Sequence, residues 1–131
     1  MKKILIIDDD QELCEEMVEI LQDEGYSVNT AFDGLEGKKL IGKYDYDILI
    51  LDLKLPGING LDIFKSVKDK HARLKVLILS GRPLIKQWFK EETGVIEDKE
   101  QDLLKLADGF INKPFDVKAV LAKVKELTGK V

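Results

Sequence analysis

A chain of 131 residues is long enough to fold as one domain around a buried core. Its apolar fraction of 44%, charged fraction of 35% and net charge of −4 are typical of a soluble globular protein and exclude a global basic field for nucleic acid. The single cysteine excludes an internal disulfide, and no apolar stretch is as long as a membrane span, so we expect a cytoplasmic protein without direct contact to nucleic acid or membrane.

The predicted elements alternate between strand and helix from the start of the chain. The first strand is the apolar run Lys3–Ile7, and the helix after it has apolar residues at helical spacing and ends at Gly25. A second strand is predicted over Tyr26–Ala31. The helix that follows carries Leu35 and ends near Gly42.

The second half of the chain continues this alternation. It contains a strand over Ile48–Asp52, a helix over Leu61–Lys70, strands over Lys75–Ser80 and Gly109–Asn112, and a final helix over Asp116–Leu127. The uninterrupted apolar run before Asp52 is typical of a strand buried on both faces. Because strands and helices alternate, we predict one α/β domain, residues 1–131, with a parallel sheet and helices on both faces.

Four of the predicted strands end in a side chain that can do chemistry. Asp8 and Asp9 follow the first strand, Asp52 ends the third, Ser80 ends the fourth and Lys113 follows the fifth. Parallel strands place their carboxyl ends along one edge of the sheet, where open α/β sheets bind ligands. We therefore expect these groups to be neighbours in space.

This set of side chains suits phosphoryl transfer. Three carboxylates without a histidine or cysteine partner form a site of hard oxygen ligands, which favours Mg²⁺ over zinc. An aspartate can act as a nucleophile and become an acyl phosphate. Mg²⁺ and Lys113 would offset the charge of a phosphorylated Asp52, and the Ser80 hydroxyl could donate a hydrogen bond to a phosphoryl oxygen.

With these motifs, nearly the whole chain resembles the receiver domain of two-component response regulators, of the chemotaxis-regulator type. The segments that carry the resemblance are Ile4–Asp9, Ile48–Asp52 with Leu55–Gly60, Val76–Gly81 and Phe110–Phe115. The resemblance implies a doubly wound, flavodoxin-like fold with five parallel strands in the order 2-1-3-4-5. It also implies a phosphorelay function, with a sensor histidine kinase or a phosphotransfer protein as the donor, and a signalling phosphoacceptor rather than an enzyme.

The resemblance assigns a role to each site residue. Asp52 would be the phosphoacceptor, Asp9 the direct Mg²⁺ ligand, Asp8 a ligand through water, Lys54 a ligand through its backbone carbonyl, Ser80 the hydroxyl switch residue, Lys113 the phosphate-binding lysine and Phe110 the aromatic switch residue. The peptide bond between Lys113 and Pro114 would be cis, as is typical of the family.

The sequence departs from the family pattern between the fourth and fifth strands, where the chain is longer than usual. Two apolar stripes in this enlarged segment favour two short helices over one long helix. The family uses this region, here residues 82–115, as its output surface. We therefore expect it to dock a downstream partner, an effector domain or a second copy of the chain, with Trp88 and Phe89 as anchors.

Two other function classes remain open from the sequence. The first is an aspartyl-phosphate phosphatase of the haloacid-dehalogenase type, because Asp8 and Asp10 imitate its first motif; Gln11 and the lack of a late paired acidic motif argue against it. The second is an interaction module with the same fold that is never phosphorylated. The complete set of acidic pair, acceptor, hydroxyl and lysine argues against that class.

Overall fold

The computed structural model describes residues 2–55, 58–80 and 105–129. The predicted sheet is confirmed: five parallel strands lie in the order β2-β1-β3-β4-β5. The strands are β1 (Lys3–Ile7), β2 (Ser27–Ala31), β3 (Ile48–Asp52), β4 (Lys75–Ser80) and β5 (Gly109–Asn112), and the described helices are α1 (Gln11–Asp23), α2 (Gly34–Lys43), α3 (Gly60–Lys70) and α4 (Val117–Thr128). The predicted bounds differ from these by a residue or two at several ends.

Each described helix begins with a side-chain cap that the sequence supplies. Asp10, Asp33, Asn59 and Asp116 precede the four helices, and each side chain accepts a hydrogen bond from a backbone N–H of the first turn. Such caps satisfy donors that the helix itself cannot. The helices therefore begin at defined points after the strand ends.

The core consists of two apolar layers, one on each face of the sheet. Alternate residues of the central strands point to opposite faces, as the strand period of two requires. One layer, on the side of α2 and α3, contains Leu5, Ile7, Leu49, Leu51, Val76 and Ile78. The other, on the side of α1 and α4, contains Ile4, Ile6, Ile48, Ile50, Leu77 and Leu79. Burial on both faces explains why these strands are continuous apolar runs in the sequence.

The pair of short helices predicted between β4 and β5, and the anchors Trp88 and Phe89, lie outside the described residues. Among the helices that the structure describes, none has the length and apolar character needed to cross a lipid bilayer.

Candidate functional site

The ends of the central strands bring the predicted site residues to one edge of the sheet. The Asp8 backbone N–H donates to the Ala31 carbonyl at 3.1 Å, so the chain stays on the sheet for one residue after β1. The Lys113 N–H likewise donates to the Ser80 carbonyl at 2.6 Å, which joins the ends of β4 and β5. Asp52 is the last residue of β3 and aligns with Leu79, the neighbour of Ser80. The parallel topology thus gathers groups that are far apart in the sequence.

Three carboxylates form the centre of the site. Asp8, Asp9 and Asp52 each have an oxygen atom within 4.8 Å of the others, a spacing that one metal ion could bridge. Asp8 is fully buried and Asp52 is 4% exposed, whereas Asp9 lies at the surface. The arrangement is a cluster of hard oxygen donors with one side open to solvent, which is the donor set that Mg²⁺ prefers.

The Lys113 ammonium lies among these carboxylates. Its Nζ is 2.9 Å from Asp8 Oδ2 and 3.1 Å from Asp52 Oδ2, and it donates a hydrogen bond to Asp52. The bond between Lys113 and Pro114 is cis, as the resemblance implied. Among the described residues, one ammonium therefore contacts two of the three carboxylates, which leaves an excess of negative charge.

Burial and neighbouring charges shift the pKa values of Asp52 and Lys113. Burial raises the pKa of Asp52, the nearby Asp8 charge adds to this, and a hydrogen bond from the Lys54 N–H and the charge of Lys113 act in the opposite direction. Burial alone would lower the pKa of Lys113, but its contacts with Asp8 and Asp52 outweigh burial and raise it. Lys113 is therefore positively charged, and it lies beside Asp52, whose ionised form is destabilised by burial.

One buried oxygen atom indicates that the site fits a cation. Asp8 Oδ2 is buried, and the group that it contacts in the described part of the chain is the Lys113 ammonium, at 2.9 Å, which uses one of its lone pairs. Asp8 Oδ1, in contrast, accepts from the Asp10 N–H at 3.0 Å. A buried oxygen with spare lone pairs beside two further carboxylates is consistent with a divalent ion bound there.

The loop after β3 is tied to the Asp52 carboxylate. The Lys54 N–H donates to Asp52 Oδ1 at 3.0 Å, while the Lys54 side chain is exposed. Asp52 therefore has one oxygen held by the loop backbone and the other held by Lys113. This fixes the orientation of the carboxylate before any ligand binds.

The two predicted switch residues lie in different environments. Ser80 is 7% exposed at the end of β4 and next to the strand that carries Asp52. Phe110, in β5, is 42% exposed, so its ring is one of the large apolar side chains that face solvent. The structure thus has a buried hydroxyl at the sheet edge and an exposed aromatic on the neighbouring strand.

Two residues beside the site have roles that spacing alone does not reveal. Asp10 caps α1 by accepting from the Leu13 N–H and is absent from the carboxylate cluster. The Cys14 thiol donates to the Asp8 carbonyl at 3.3 Å, and burial, with the Asp8 and Asp10 charges, raises its pKa to about 12. Cys14 is therefore an inert packing residue that also supports the backbone of the site. Its place on the inner face of α1 was the only sequence signal for this contact.

The comparisons with known proteins agree with this geometry. A family model described as the response regulator receiver domain matches residues 4–125. The response regulator ArlR of Staphylococcus aureus is 34% identical over 127 residues, which cover 97% of this chain and 52% of ArlR. The chain thus spans about half the length of the curated relatives that it matches.

Solved structures give the same result. The response regulator TrrA of Thermotoga maritima, in complex with Mg²⁺ and BeF, is 31% identical with a TM-score of 0.76, and the match covers 97% of this chain and 99% of TrrA. A CheY-like receiver domain protein of Methanospirillum hungatei is 26% identical with a TM-score of 0.79, over 99% of this chain and 96% of that one. Both likenesses extend over the whole fold.

Proposed function

Because this chain belongs to the response regulator receiver domain family of two-component systems, we propose that it accepts a phosphoryl group on Asp52 in a Mg²⁺-dependent reaction. The donor is the phosphohistidine of a sensor histidine kinase or of a phosphotransfer protein. The P–N bond of the donor breaks, a P–O bond to an Asp52 carboxylate oxygen forms, and the donor imidazole takes up a proton.

One observation carries this proposal. The Asp52 carboxylate is buried at a strand end, held on one side by the Lys54 N–H and on the other by Lys113, with Asp8 and Asp9 close enough to share a cation. Phosphoryl transfer needs positioning and charge neutralisation more than covalent chemistry from the protein. The site supplies a fixed nucleophile and a cationic partner.

The metal would be held by Asp8, Asp9 and Asp52, together with the backbone carbonyl of Lys54. When bound, Mg²⁺ supplies the positive charge that the cluster lacks and offsets the charge of the incoming phosphoryl group. The spare lone pairs of the buried Asp8 Oδ2 support this assignment. The Mg²⁺ and BeF named for the TrrA structure support it by analogy.

Lys113 and Ser80 respond to the phosphoryl group once it is present. The Lys113 ammonium lies 3.1 Å from Asp52 Oδ2, so it can follow the charge from the carboxylate to a phosphoryl oxygen. The Ser80 hydroxyl donates to a second phosphoryl oxygen, and Phe110 turns inward behind it. The exposed position of the Phe110 ring supports this part of the proposal, because an inward turn would bury apolar surface of the ring that now faces solvent.

The output then passes through the surface formed by residues 82–115, to a downstream partner, an effector domain or a second copy of this chain. Leu106 and Phe110, which are 54% and 42% exposed, support an apolar docking surface here. The unmatched half of ArlR is consistent with effector regions in relatives. Residues 1–131 then act as one receiver domain in the cytoplasm, and the chain turns over phosphate only on itself.

The phosphatase alternative loses its main support in the structure. Its first motif requires Asp8 and Asp10 to act together, but Asp10 is the cap of α1 and lies outside the carboxylate cluster. Against the module that is never phosphorylated stands the complete set of side chains at one edge of the sheet, with Asp8, Asp9 and Asp52 clustered and Lys113 paired with Asp52.

Intact-mass spectrometry after incubation with acetyl phosphate tests the proposed function. We expect a mass increase of one phosphoryl group with Mg²⁺ present and none with the ion chelated by EDTA. Labelling that is equally strong in EDTA would contradict a metal-dependent receiver. Hydrolysis of simple phosphate esters without labelling of the protein would favour the phosphatase.

A further inference from the structure

Gly60, the first residue of α3, touches the backbone that carries the site. A Cβ atom added there would lie 2.6 Å from Leu53 Cα, 2.7 Å from the Leu53 carbonyl oxygen and 2.9 Å from the Asp52 carbonyl oxygen. All three atoms belong to the main chain, so no side chain can turn aside to make room. Even alanine at this position requires the backbone of Asp52 and Leu53 to move.

The backbone conformation does not explain why residue 60 is a glycine. Among the described residues, the glycines with positive φ are Gly25 and Gly129, so the conformation of Gly60 is open to other residues. Alanine would also favour the helix over glycine. Gly60 is therefore required for close approach between the start of α3 and the end of β3.

Short contacts connect Gly60 to the Asp52 carboxylate. The Gly60 N–H donates to the Leu53 carbonyl at 3.3 Å. Lys54, which follows Leu53 in the chain, donates its N–H to Asp52 Oδ1 at 3.0 Å. On the opposite side, the Leu53 N–H donates to the Leu79 carbonyl of β4 at 3.4 Å. The Leu53 peptide is thus held between α3 and the sheet, and Lys54 follows directly from it.

A second glycine approaches the same loop from α2. A Cβ atom on Gly34, the first residue of α2, would lie 2.8 Å from Ile58 Cβ and 3.2 Å from the Ile58 carbonyl oxygen. Gly34 is buried and also has an ordinary φ. The described ends of the loop after β3 therefore each meet a glycine at a helix start.

We propose that Gly60, assisted by Gly34, is a positioning residue for the metal site: by allowing α3 to approach Leu53, it sets the direction of the Lys54 backbone carbonyl and of the Asp52 carboxylate. This inference rests on the proposed function, which assigns the Lys54 carbonyl to Mg²⁺. A side chain at position 60 displaces both ligands at once. Displacement of groups that orient ligands weakens metal binding about 10- to 100-fold.

Isothermal titration with Mg²⁺ tests the inference on the folded wild type and on Gly60→Ala. We expect about tenfold weaker binding in Gly60→Ala and a smaller loss in Gly34→Ala, where the added atom meets Ile58 and not the backbone of Asp52 and Leu53. Asn59→Ala is the matched control, because it removes the α3 cap without adding an atom near Leu53. Gly42→Ala is the control for an exposed helical glycine with open space around it. Both controls should bind Mg²⁺ as the wild type does.

A purely structural role would lower the melting temperature of Gly60→Ala and leave the Mg²⁺ affinity of the folded protein unchanged, which would overturn the inference. If Gly60→Ala does not fold, Gly34→Ala decides, and wild-type affinity there overturns the inference equally. Loss of affinity in Asn59→Ala as large as that in Gly60→Ala would also overturn it. Wild-type protein that binds Mg²⁺ but takes no phosphoryl group contradicts only the proposed function, since the comparison of affinities still decides the role of Gly60.

Discussion

At the scale of single residues, the site is defined by an imbalance of charge. Within the described part of the chain, three carboxylates face the Lys113 ammonium, and the two most central carboxylates, Asp8 and Asp52, are buried. Burial of unbalanced charge costs stability, and groups perturbed in this way cluster at functional sites. The raised pKa of Asp52 expresses this cost directly.

Lys113→Met separates the charge of the lysine from the bulk of its stem. We expect a folded protein that binds Mg²⁺ but responds weakly to phosphorylation, because no ammonium follows the charge onto the phosphoryl group. Nuclear magnetic resonance spectra with and without beryllofluoride measure that response. A full set of shift changes in Lys113→Met, equal to those of the wild type, would remove Lys113 from the switch.

Asp52→Asn should stabilise the metal-free protein at neutral pH. Since the pKa of Asp52 is raised on folding, the folded state binds its proton more tightly than the unfolded state, and the cost of ionisation is present above the raised pKa. The gain in melting temperature should therefore shrink as the pH falls through the raised pKa towards the ordinary value of 3.8. Asp45→Asn, in an exposed loop, is the control, and an equal gain there would show that the effect is not specific to the site.

At the scale of elements, the strands were predictable and the helix contacts were not. Runs such as Ile4–Ile7 and Ile48–Leu51 are buried on both faces, so they appear in the sequence as uninterrupted apolar segments with clear ends. In α2, however, the apolar Leu35 is 57% exposed, and the buried positions include Gly34 and Gly37. Hydrophobic periodicity predicted this helix but not the face through which it packs, because the signal of packing through glycines is the lack of a side chain.

Gly37→Ala tests this close packing of α2 on β1. A Cβ atom at position 37 would overlap Ile7 Cδ1 and lie 2.9 Å from Ile7 Cγ1, so the Ile7 side chain must shift. Overpacking of this kind costs about 1–3 kcal/mol, which should exceed the helix-propensity gain of alanine. Urea unfolding measures the difference, with Gly42→Ala as the control that should be neutral or stabilising. A Gly37→Ala protein as stable as Gly42→Ala would mean that the helix simply moves outward.

The site was predictable for a related reason. A parallel sheet places every strand end on one edge, so Asp8, Asp52 and Lys113 could be grouped from the sequence without any distance. The contacts of Cys14 with the Asp8 carbonyl and of Gly60 with Leu53 could not, since both depend on how closely a helix approaches a strand end. Sequence patterns indicate which face of a helix or strand is apolar and where the element ends. The distance between a helix and a strand end depends instead on how the core packs.

At the scale of the whole molecule, β5 links the site to the described part of the proposed output surface. β5 carries Phe110 and leads directly to Lys113, so a change at the carboxylate cluster has a short path to the exposed Phe110 ring. Trp88 and Phe89 belong to that surface by the sequence and lie outside the described residues. Their role stays a prediction.

Sedimentation velocity with and without beryllofluoride tests the docking surface. If a second copy of the chain binds there, we expect association of the beryllofluoride-bound protein and its loss in Trp88→Ala and Phe89→Ala, because aromatic side chains dominate interface energies. Circular dichroism checks that both variants are folded. Monomers under both conditions would exclude a second copy as the occupant, and pull-down with the same variants then tests a different partner.

The proposed function requires that Asp52, and no other residue, carries the phosphoryl group. Borohydride reduces an aspartyl phosphate to homoserine, so peptide mass spectrometry after treatment with acetyl phosphate and Mg²⁺ identifies the modified position. We predict homoserine at position 52 in the wild type and none in Asp52→Asn or in EDTA. Homoserine at position 8 or 9, or its complete absence from a folded wild-type protein, would contradict the assignment.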